Sequence, residues 1–256
     1  MQLFTYWSFA PTTYIERLCL QSMLDVGHPV RVYTYEPHLD VPAGVCVADA
    51  TDILHRSCVI DGPSPALFSN LFRYVGLQRG LGTWVDADVL MLRSIADMGE
   101  YTFGWEDQKL INNAIMRMPP NAPVLRDLVR HITARVPIDP RWGWREKARQ
   151  IVRGFIMRPF PIGKMEWGVA GPYALTHFGR RYNLARLAQP IDVFYPVPVD
   201  RAADVFNPDV DIEACFTPRT RTIHLWNYII KDRKGPSPPA GSFIDRMCRR
   251  HRIMVR

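Results

Sequence analysis

The sequence predicts a mixed α/β fold with a mostly parallel central sheet and flanking helices. Two observations carry this prediction. In the first half of the 256 residues, short β-branched and aromatic runs alternate with longer runs of helical period, a pattern typical of strands joined by helices. Hydrophobic residues make up 47% of the chain, which is enough for one sizeable core. We therefore expect one main domain over residues 1–234 and a tail over residues 235–256.

The first half supplies most of the predicted elements. LFTYWSF has the composition of a strand, and YIERLCLQSMLDVG follows with a helical stripe that Gly27 ends. PVRVYTY is the next strand, because it is β-branched and aromatic. SPALFSNLFRYVGLQRG is predicted as a helix closed by Gly80, and TWV as the strand after it. YTFGW and NAIMRM are further predicted strands, and APVLRDLVRHITARV is a predicted helix.

Beyond about Pro137 the pattern is less regular. GWREKARQIVRGFIM and GPYALTHF have helical spacing, whereas IDVFYPVPV and TRTIHLW have the composition of strands. We expect loops elsewhere. GPSPPAG, residues 235–241, is rich in proline and glycine, and it predicts a linker that carries the tail away from the core.

The composition excludes several classes of protein. Five cysteines are scattered without C-x-x-C spacing, which argues against a disulfide framework and a thiolate zinc site. MQLFTYWSFAP lacks the basic region and cleavage site of a signal peptide, and no apolar run approaches the roughly 18 residues of a membrane span. We expect a cytoplasmic protein, either soluble or peripheral on the inner face of the membrane.

Most of the net charge of +7 lies near the C-terminus. From Lys231 to Arg256 there are eight basic and two acidic residues. A basic tail interspersed with apolar residues favours an anionic membrane surface, and the alternative is a solvated basic helix that helps solubility. Nucleic acid is a poor partner for it, because the tail lacks interleaved aromatic residues and no nucleic-acid-reading motif accompanies it.

Two aspartates follow the predicted strand TWV. Alternation along an extended chain points Asp86 and Asp88 to the same side, with the small Ala87 opposite. Paired carboxylates suit Mg²⁺ or Mn²⁺, and such a cation binds pyrophosphate. A short D-x-D pattern also occurs in capping and turn roles, and the sequence alone leaves both interpretations open.

The helix before this strand carries a polar patch. Ser69, Asn70 and Arg73 fall within about 100° of one another on the helical wheel, away from the apolar stripe. We expect them to meet the aspartates at the carboxyl end of the sheet, where α/β proteins bind ligands. A structural ion pair between Arg73 and Asp86 is the alternative role for the arginine.

PALFSNLFRYVGLQRGLGTWVDADVLML resembles the signature of glycosyltransferases of the GT-A fold with a D-x-D motif, in particular the retaining group of capsular-polysaccharide sugar transferases and initiating mannosyltransferases. Four more segments are similar in the same order: CLQSMLDVGHPVRVYTYE, NNAIMRMPPNAPVL, WGVAGPYALT and RTIHLWN. The resemblance covers roughly Phe4 to Trp226. It implies a nucleotide-sugar half over about residues 1–120, a less regular acceptor half over about 121–234, and Mn²⁺ or Mg²⁺ as the cofactor.

The resemblance also implies roles for individual residues. Asp86 would meet the donor ribose and the hydration shell of the metal, Asp88 would bind the metal directly, and His224 would be its third protein ligand. The implied nucleotide-sugar contacts are Trp7 or Phe9 with the base, Arg73 and Asn113 with the sugar, Ser69, Asn70 and Ala87 nearby, and Lys231 or Lys234 with the phosphates. Glu106, Asp107, Glu166 and Trp167 would face the acceptor.

Two positions depart from the family pattern. Asn70 stands where the family has an acidic residue, which puts the identity of the donor sugar in doubt, and Leu81-Gly82 replaces a glycine pair. The implied activity is metal-dependent transfer of a sugar, with retention of configuration, from a nucleotide-sugar donor, and the resemblance favours UDP as the nucleotide. The implied acceptor is a glycan or a lipid-linked glycan, in synthesis of a surface polysaccharide or lipopolysaccharide. A phosphatase of the haloacid-dehalogenase type and a non-catalytic nucleotide-sugar or glycan-binding module are the alternatives.

Overall fold

The computed structural model describes residues 1–7, 11–36, 38–58 and 65–254. The strands in these ranges are β1 (Leu3–Tyr6), β2 (Val30–Thr34), β3 (Cys46–Asp49), β4 (Thr83–Val85), β5 (Val89–Met91), β6 (Thr102–Trp105), β7 (Ile111–Arg117) and β8 (Thr222–His224). The helices are α1 (Tyr14–Asp25), α2 (Pro65–Gln78), α3 (Pro123–Ile132), α4 (Trp144–Ile156), α5 (Pro172–Arg181), α6 (Ile191–Phe194), α7 (Asn227–Ile230) and α8 (Phe243–Arg250).

Six strands form a central sheet in the order β3-β2-β1-β4-β7-β6. The first four are parallel, and β7 and β6 extend the sheet in antiparallel pairings. Strands β5 and β8 form a separate antiparallel pair. The prediction of an α/β fold with a mainly parallel sheet is therefore confirmed.

Because successive side chains of a strand point to opposite faces of the sheet, β1 and β4 each contribute to two core regions. Phe4 and Trp84 pack with α2, α3 and α5 in an aromatic core on one face. Leu3 and Val85 pack on the other face with Leu20 of α1 and with β5. Both faces of the sheet are covered, as expected for strands joined by helical crossovers, and ligand sites in such sheets usually lie at the strand ends.

One predicted strand is wrong. IDVFYPVPV contains the short helix α6, and a 3₁₀ helix then runs over Val199–Phe206. Pro190 precedes α6, and Pro196 and Pro198 follow it. Because proline lacks the N–H that a sheet ladder requires, it favours helix starts and turns over an internal strand. The exposed strand β3 was not predicted at all.

The C-terminal segment packs onto the core, contrary to the expectation that residues 235–241 carry it away. Phe243, Ile244, Met247 and Cys248 of α8 are buried, in a cluster with Ile15 and Leu18 of α1. Ser242 caps α8 by accepting from the backbone N–H of Asp245. In the described part of the chain, no helix has both the length and the apolar character needed to cross a bilayer.

Candidate metal centre and ligand cleft

A cleft of about 730 Å³ opens where several strand ends meet. The parallel neighbours β1 and β4 both end at this edge, and the antiparallel β7 begins there with Asn112 and Asn113. Strand ends in a parallel sheet present side chains and unpaired backbone groups, so they are the usual ligand sites of α/β proteins. The large cleft, as we call it, therefore lies where the sequence places the two aspartates.

The carboxylates of Asp86 and Asp88 come together through a turn. Strand β4 ends at Val85, and Ala87 and Asp88 form a turn closed by the hydrogen bond from the N–H of Val89 to the carbonyl of Asp86, at 3.1 Å. The expected alternation along an extended chain is therefore not the cause of their shared orientation. The turn leads directly into β5, which fixes Asp88 between two strands.

Pairing of β5 with β8 brings His224 to the aspartates from far along the chain. Val89 lies opposite His224 in the antiparallel register, and the N–H of Leu225 donates to the carbonyl of Asp88 at 2.9 Å. The backbone N–H of Asn227 donates to Oδ2 of Asp88 at 2.7 Å. Both backbone and side chain of Asp88 are thus held by the segment that carries His224.

Asp86, Asp88 and His224 form a cluster suited to a divalent cation. One ligand atom from each lies within 4.8 Å of the other two, and Nε2 of His224 is 3.4 Å from Oδ1 of Asp88. The side chains of Asp86 and Asp88 are only 24% and 13% exposed. Nδ1 of His224 is buried and has no hydrogen-bond partner among the described residues, although metal-bound histidines usually donate from their second nitrogen. Two carboxylates and an imidazole could together hold a divalent cation.

The cluster shifts the protonation of its own members. Burial raises the pKa of Asp86 and outweighs the nearby Arg73. Burial opposes ionisation of Asp88 too, but the charge and hydrogen bond of His224 and the N–H of Asn227 outweigh it, and the pKa of Asp88 is lowered. Burial would lower the pKa of His224, yet the carboxylates raise it. Because the pKa of His224 is raised, a cation at this site competes with a proton for the imidazole.

Arg73 links the aspartates to a second, smaller hollow. Its Nη2 donates to Oδ1 of Asp86 at 2.6 Å, and its Nη1 donates to Oδ1 of Asn70. Nδ2 of Asn113 donates to the same oxygen of Asn70 at 2.8 Å, and the indole of Trp84 donates to Asp86 at 2.5 Å. Arg73 is 4% exposed, and its ion pair with Asp86 is the alternative role that the sequence suggested for this arginine.

This small hollow, of about 260 Å³, adjoins the large cleft and shares residues with it. Ser69, Asn70, Arg73 and Asn113 line one side, and the segment from Met165 to Ala170 lines the other. A Cβ added at Gly171 would lie 3.2 Å from Asn70 and 3.3 Å from Asn113. The close approach of this loop, part of the segment WGVAGPYALT, shapes the hollow.

The wall of the large cleft that faces α1 was not predicted. Glu16 is fully buried, and Nζ of Lys234 lies 2.5 Å from its Oε1. The side chain of Asn227 donates to the same oxygen at 3.1 Å, and Thr13 donates to Oε2. Lys234 therefore belongs to a buried ion pair and not to the solvated tail. The sequence around Glu16 did not predict this ion pair, because a glutamate three residues after Thr13 is typical of a helix-capping residue.

The remaining predicted residues are distributed around the site. Trp7, Ser69, Ala87, Trp167 and Lys231 line the large cleft. Glu166 lines the small hollow but is exposed and paired with Arg141 at 2.9 Å. Glu106 accepts from Asn112 at 2.7 Å, and burial raises the pKa of Glu106. Asp107 accepts from two backbone N–H groups in an exposed turn. Phe9 lies outside the described residues.

Comparison with known proteins does not identify the function of the chain. No protein-family model matches the chain, and no curated protein matches it. Among solved structures, the chain is similar to one described as "PaToxG Glycosyltransferase", with 11% sequence identity and a TM-score of 0.44, over 71% of this chain and 69% of that one. A TM-score in this range establishes neither a shared activity nor shared site residues, so the function has to be argued from the side chains of the cleft.

Proposed function

We propose that the protein is a metal-dependent glycosyltransferase that moves a sugar from a nucleotide-sugar donor to a glycan or lipid-linked acceptor. The observation that carries the proposal is the arrangement of two sites side by side. The Asp86, Asp88 and His224 cluster lies in the large cleft, and the hydrogen-bonded network of Arg73 and Asn70 lines the small hollow next to it. Asp86 lines both cavities, so one ligand could occupy the two sites together.

This arrangement fits the two parts of a nucleotide sugar. The large cleft has room for a nucleoside diphosphate, and we propose that Trp7 stacks on the base and Lys231 contacts the phosphates. The small hollow has the size of a single sugar. The guanidinium of Arg73 would offer donors to the sugar hydroxyl groups, and Asn113, whose Nδ2 already donates to Asn70 and Tyr74, would offer its amide oxygen as an acceptor. We assign UDP as the nucleotide on the strength of the family resemblance in the D-x-D region.

Asp88 and His224 would hold the cation, and Asp86 would contact it or its water. Bound there, a divalent cation acts as a Lewis acid that neutralises negative charge on the departing diphosphate. Arg73 keeps Asp86 oriented by a bond of 2.6 Å, and the backbone of Asn227 orients Asp88. The residues of this chain thus contribute a fixed set of ligands and require little rearrangement when the donor binds.

Retention is proposed from the family resemblance, and the pairing of the carboxylates near the hollow favours a reaction without a covalent enzyme intermediate. Among the described residues that line the two cavities, Glu16 is paired with Lys234, Asp86 with Arg73, Asp88 with His224, and Glu166 with Arg141. A retaining enzyme with a carboxylate nucleophile would need one such group free beside the anomeric carbon. We therefore propose a front-face reaction in which the departing phosphate accepts the acceptor's proton.

The acceptor would enter past Trp167 and Tyr228. Trp167 is 49% exposed and Tyr228 53% exposed, and their ring centroids are 5.7 Å apart. Exposed aromatic faces at a cleft mouth suit the apolar faces of sugar rings. We propose a glycan or lipid-linked acceptor on the cytoplasmic side, as in the synthesis of a surface polysaccharide or lipopolysaccharide.

A panel of nucleotide sugars with Mn²⁺ tests this proposal. The protein should release free nucleoside diphosphate from one donor, and Asp88→Ala should abolish the release. Inorganic phosphate as the product would indicate the haloacid-dehalogenase alternative, although that chemistry uses a lysine and the cation beside Asp86 is Arg73. Donor binding without any product would indicate the non-catalytic module, and either result would overturn the proposal.

A further inference from the structure

Helix α4 is the most exposed apolar element in the described chain. Trp144 is 75% exposed, Phe155 87% and Val152 54%. Only Gln150 of this helix is buried, and its amide donates to the carbonyls of Pro137 and Phe160. Large exposed apolar side chains gathered on one element mark an interaction surface, and none of the functions above uses them.

The exposed apolar side chains form one stripe. At 100° per residue, Ile151, Trp144, Phe155, Val152 and Ile156 occupy an arc of about 140°. Gln150 lies well outside this arc, because it faces the body of the protein. At Gly154, beside Gln150 on the wheel, an added Cβ would lie 2.5 Å from Val136. The stripe therefore points away from the protein, over a helix of about 20 Å in length.

Positive charges flank the stripe. On the helical wheel, Lys147 lies just beyond one edge of the apolar arc. Arg145 lies inside the other edge, and Arg149 and Arg153 lie beyond that edge. Glu146 is the single acidic residue of α4. Residues 133–171, the whole connection between α3 and α5, contain eight basic and three acidic residues. Of these acids, Asp139 and Glu166 are already paired with Arg141.

We propose that α4 is a docking helix for an anionic lipid bilayer, with its apolar stripe inserted at the level of the headgroups. A stripe with tryptophan and phenylalanine, bordered by lysine and arginine, is the pattern of helices that lie in the membrane interface. The cations would contact acidic headgroups. The basic C-terminal segment is less suited to insertion, because the apolar side chains of α8 are buried against α1.

Docking of α4 to a bilayer does not depend on the proposed function, but it would bring the large cleft close to the lipid. Trp167, which lines the large cleft, lies on the same connection as α4. Arg141, just before α4, is bonded to Glu166, just before Trp167. Docking of α4 would therefore place one wall of the cleft near the bilayer, where a lipid-linked ligand is found.

Flotation of the full chain with vesicles tests the proposal. We expect binding to phosphatidylcholine vesicles containing about 30% phosphatidylglycerol and little binding to phosphatidylcholine alone. Val152→Ser with Phe155→Ser should weaken binding at least 30-fold, since two apolar side chains no longer enter the lipid. Arg145→Gln with Arg149→Gln should weaken it about 30-fold, at roughly fivefold for each cation.

Matched variants in α8 provide the control. Arg249→Gln with Arg250→Gln removes the same charge, and we expect less than a threefold effect. Quenching of tryptophan fluorescence by brominated lipid should fall in Trp144→Phe and persist in Trp167→Phe. Equal losses in the α4 and α8 variants, or a stripe that mediates dimers in solution and no vesicle binding, would overturn the proposal. Circular dichroism verifies that the variants are folded.

Discussion

Replacement of Asp88 by asparagine is the sharpest test of the metal centre. Asparagine retains an oxygen that can accept from the N–H of Asn227, so the turn after β4 should persist. Its amide also remains compatible with a neutral His224 ring at the observed 3.4 Å. What the substitution removes is one negative charge from a largely buried cluster.

The size of the loss follows from the geometry. A doubly charged cation about 4 Å from a carboxylate charge gains about 8 kcal/mol at an effective dielectric constant near 20. Desolvation of the ion and the carboxylate cancels much of this, and breaking a buried pair costs about 3 to 5 kcal/mol. We therefore expect Mn²⁺ affinity to fall by roughly 100-fold to 1,000-fold, at about 1.4 kcal/mol for each factor of ten.

Isothermal titration with Mn²⁺ measures this loss, and donor hydrolysis at saturating Mn²⁺ measures its effect on activity. Thermal unfolding in the presence of a chelator checks the fold, where we expect a change of about 1 kcal/mol or less. Asp97→Asn is the matched control, because Asp97 lies in the turn region after β5 and pairs with Arg221 at an exposed position. A folded Asp88→Asn protein that binds Mn²⁺ within threefold of the original would refute the assignment.

Three further predictions follow from the same cluster. Arg73→Lys keeps the charge but loses the fork that reaches Asn70, so kcat/KM for the donor should fall about 10-fold to 100-fold while the protein stays folded; unchanged donor kinetics would contradict this. Because the pKa of His224 is raised, Mn²⁺ affinity should fall about tenfold per pH unit below that pKa and level off above it, as titrations at several pH values would detect. Lys234→Met leaves Glu16 buried without its cation, and denaturant unfolding should show a loss of about 3 kcal/mol.

The central sheet could be predicted because its signals are local. β1, β2 and β4 are short runs of strand composition, each separated from the next by a helix with an apolar stripe. The tail could not be predicted in this way, because its proline-rich start suggested a linker. The apolar residues of α8 nevertheless have the spacing of a core-facing helix: Phe243, Ile244, Met247 and Cys248. The arginines within and after this group made the segment resemble a solvated basic tail.

The candidate site was predictable in part. Asp86 and Asp88 are separated by one residue in the sequence, and their position after a predicted strand indicated that they lie at the edge of the sheet. Glu16 and Lys234 were a different matter, because their pairing joins the first helix to a segment 218 residues later. Pairing across such distances depends on the whole fold, and a single sequence contains no local trace of it.

The backbone at Trp226 explains how the segment after His224 holds Asp88. Trp226 has φ 54° and ψ 62°, a left-handed conformation that costs a bulky residue about 1 to 3 kcal/mol. This residue turns the chain immediately after β8, so that the next N–H, from Asn227, donates to Asp88. Trp226 itself is buried, with its ring 4.0 Å from that of His224. Packing of the tryptophan therefore offsets the strain, and the strained turn fixes the imidazole and the carboxylate in one geometry before any cation binds.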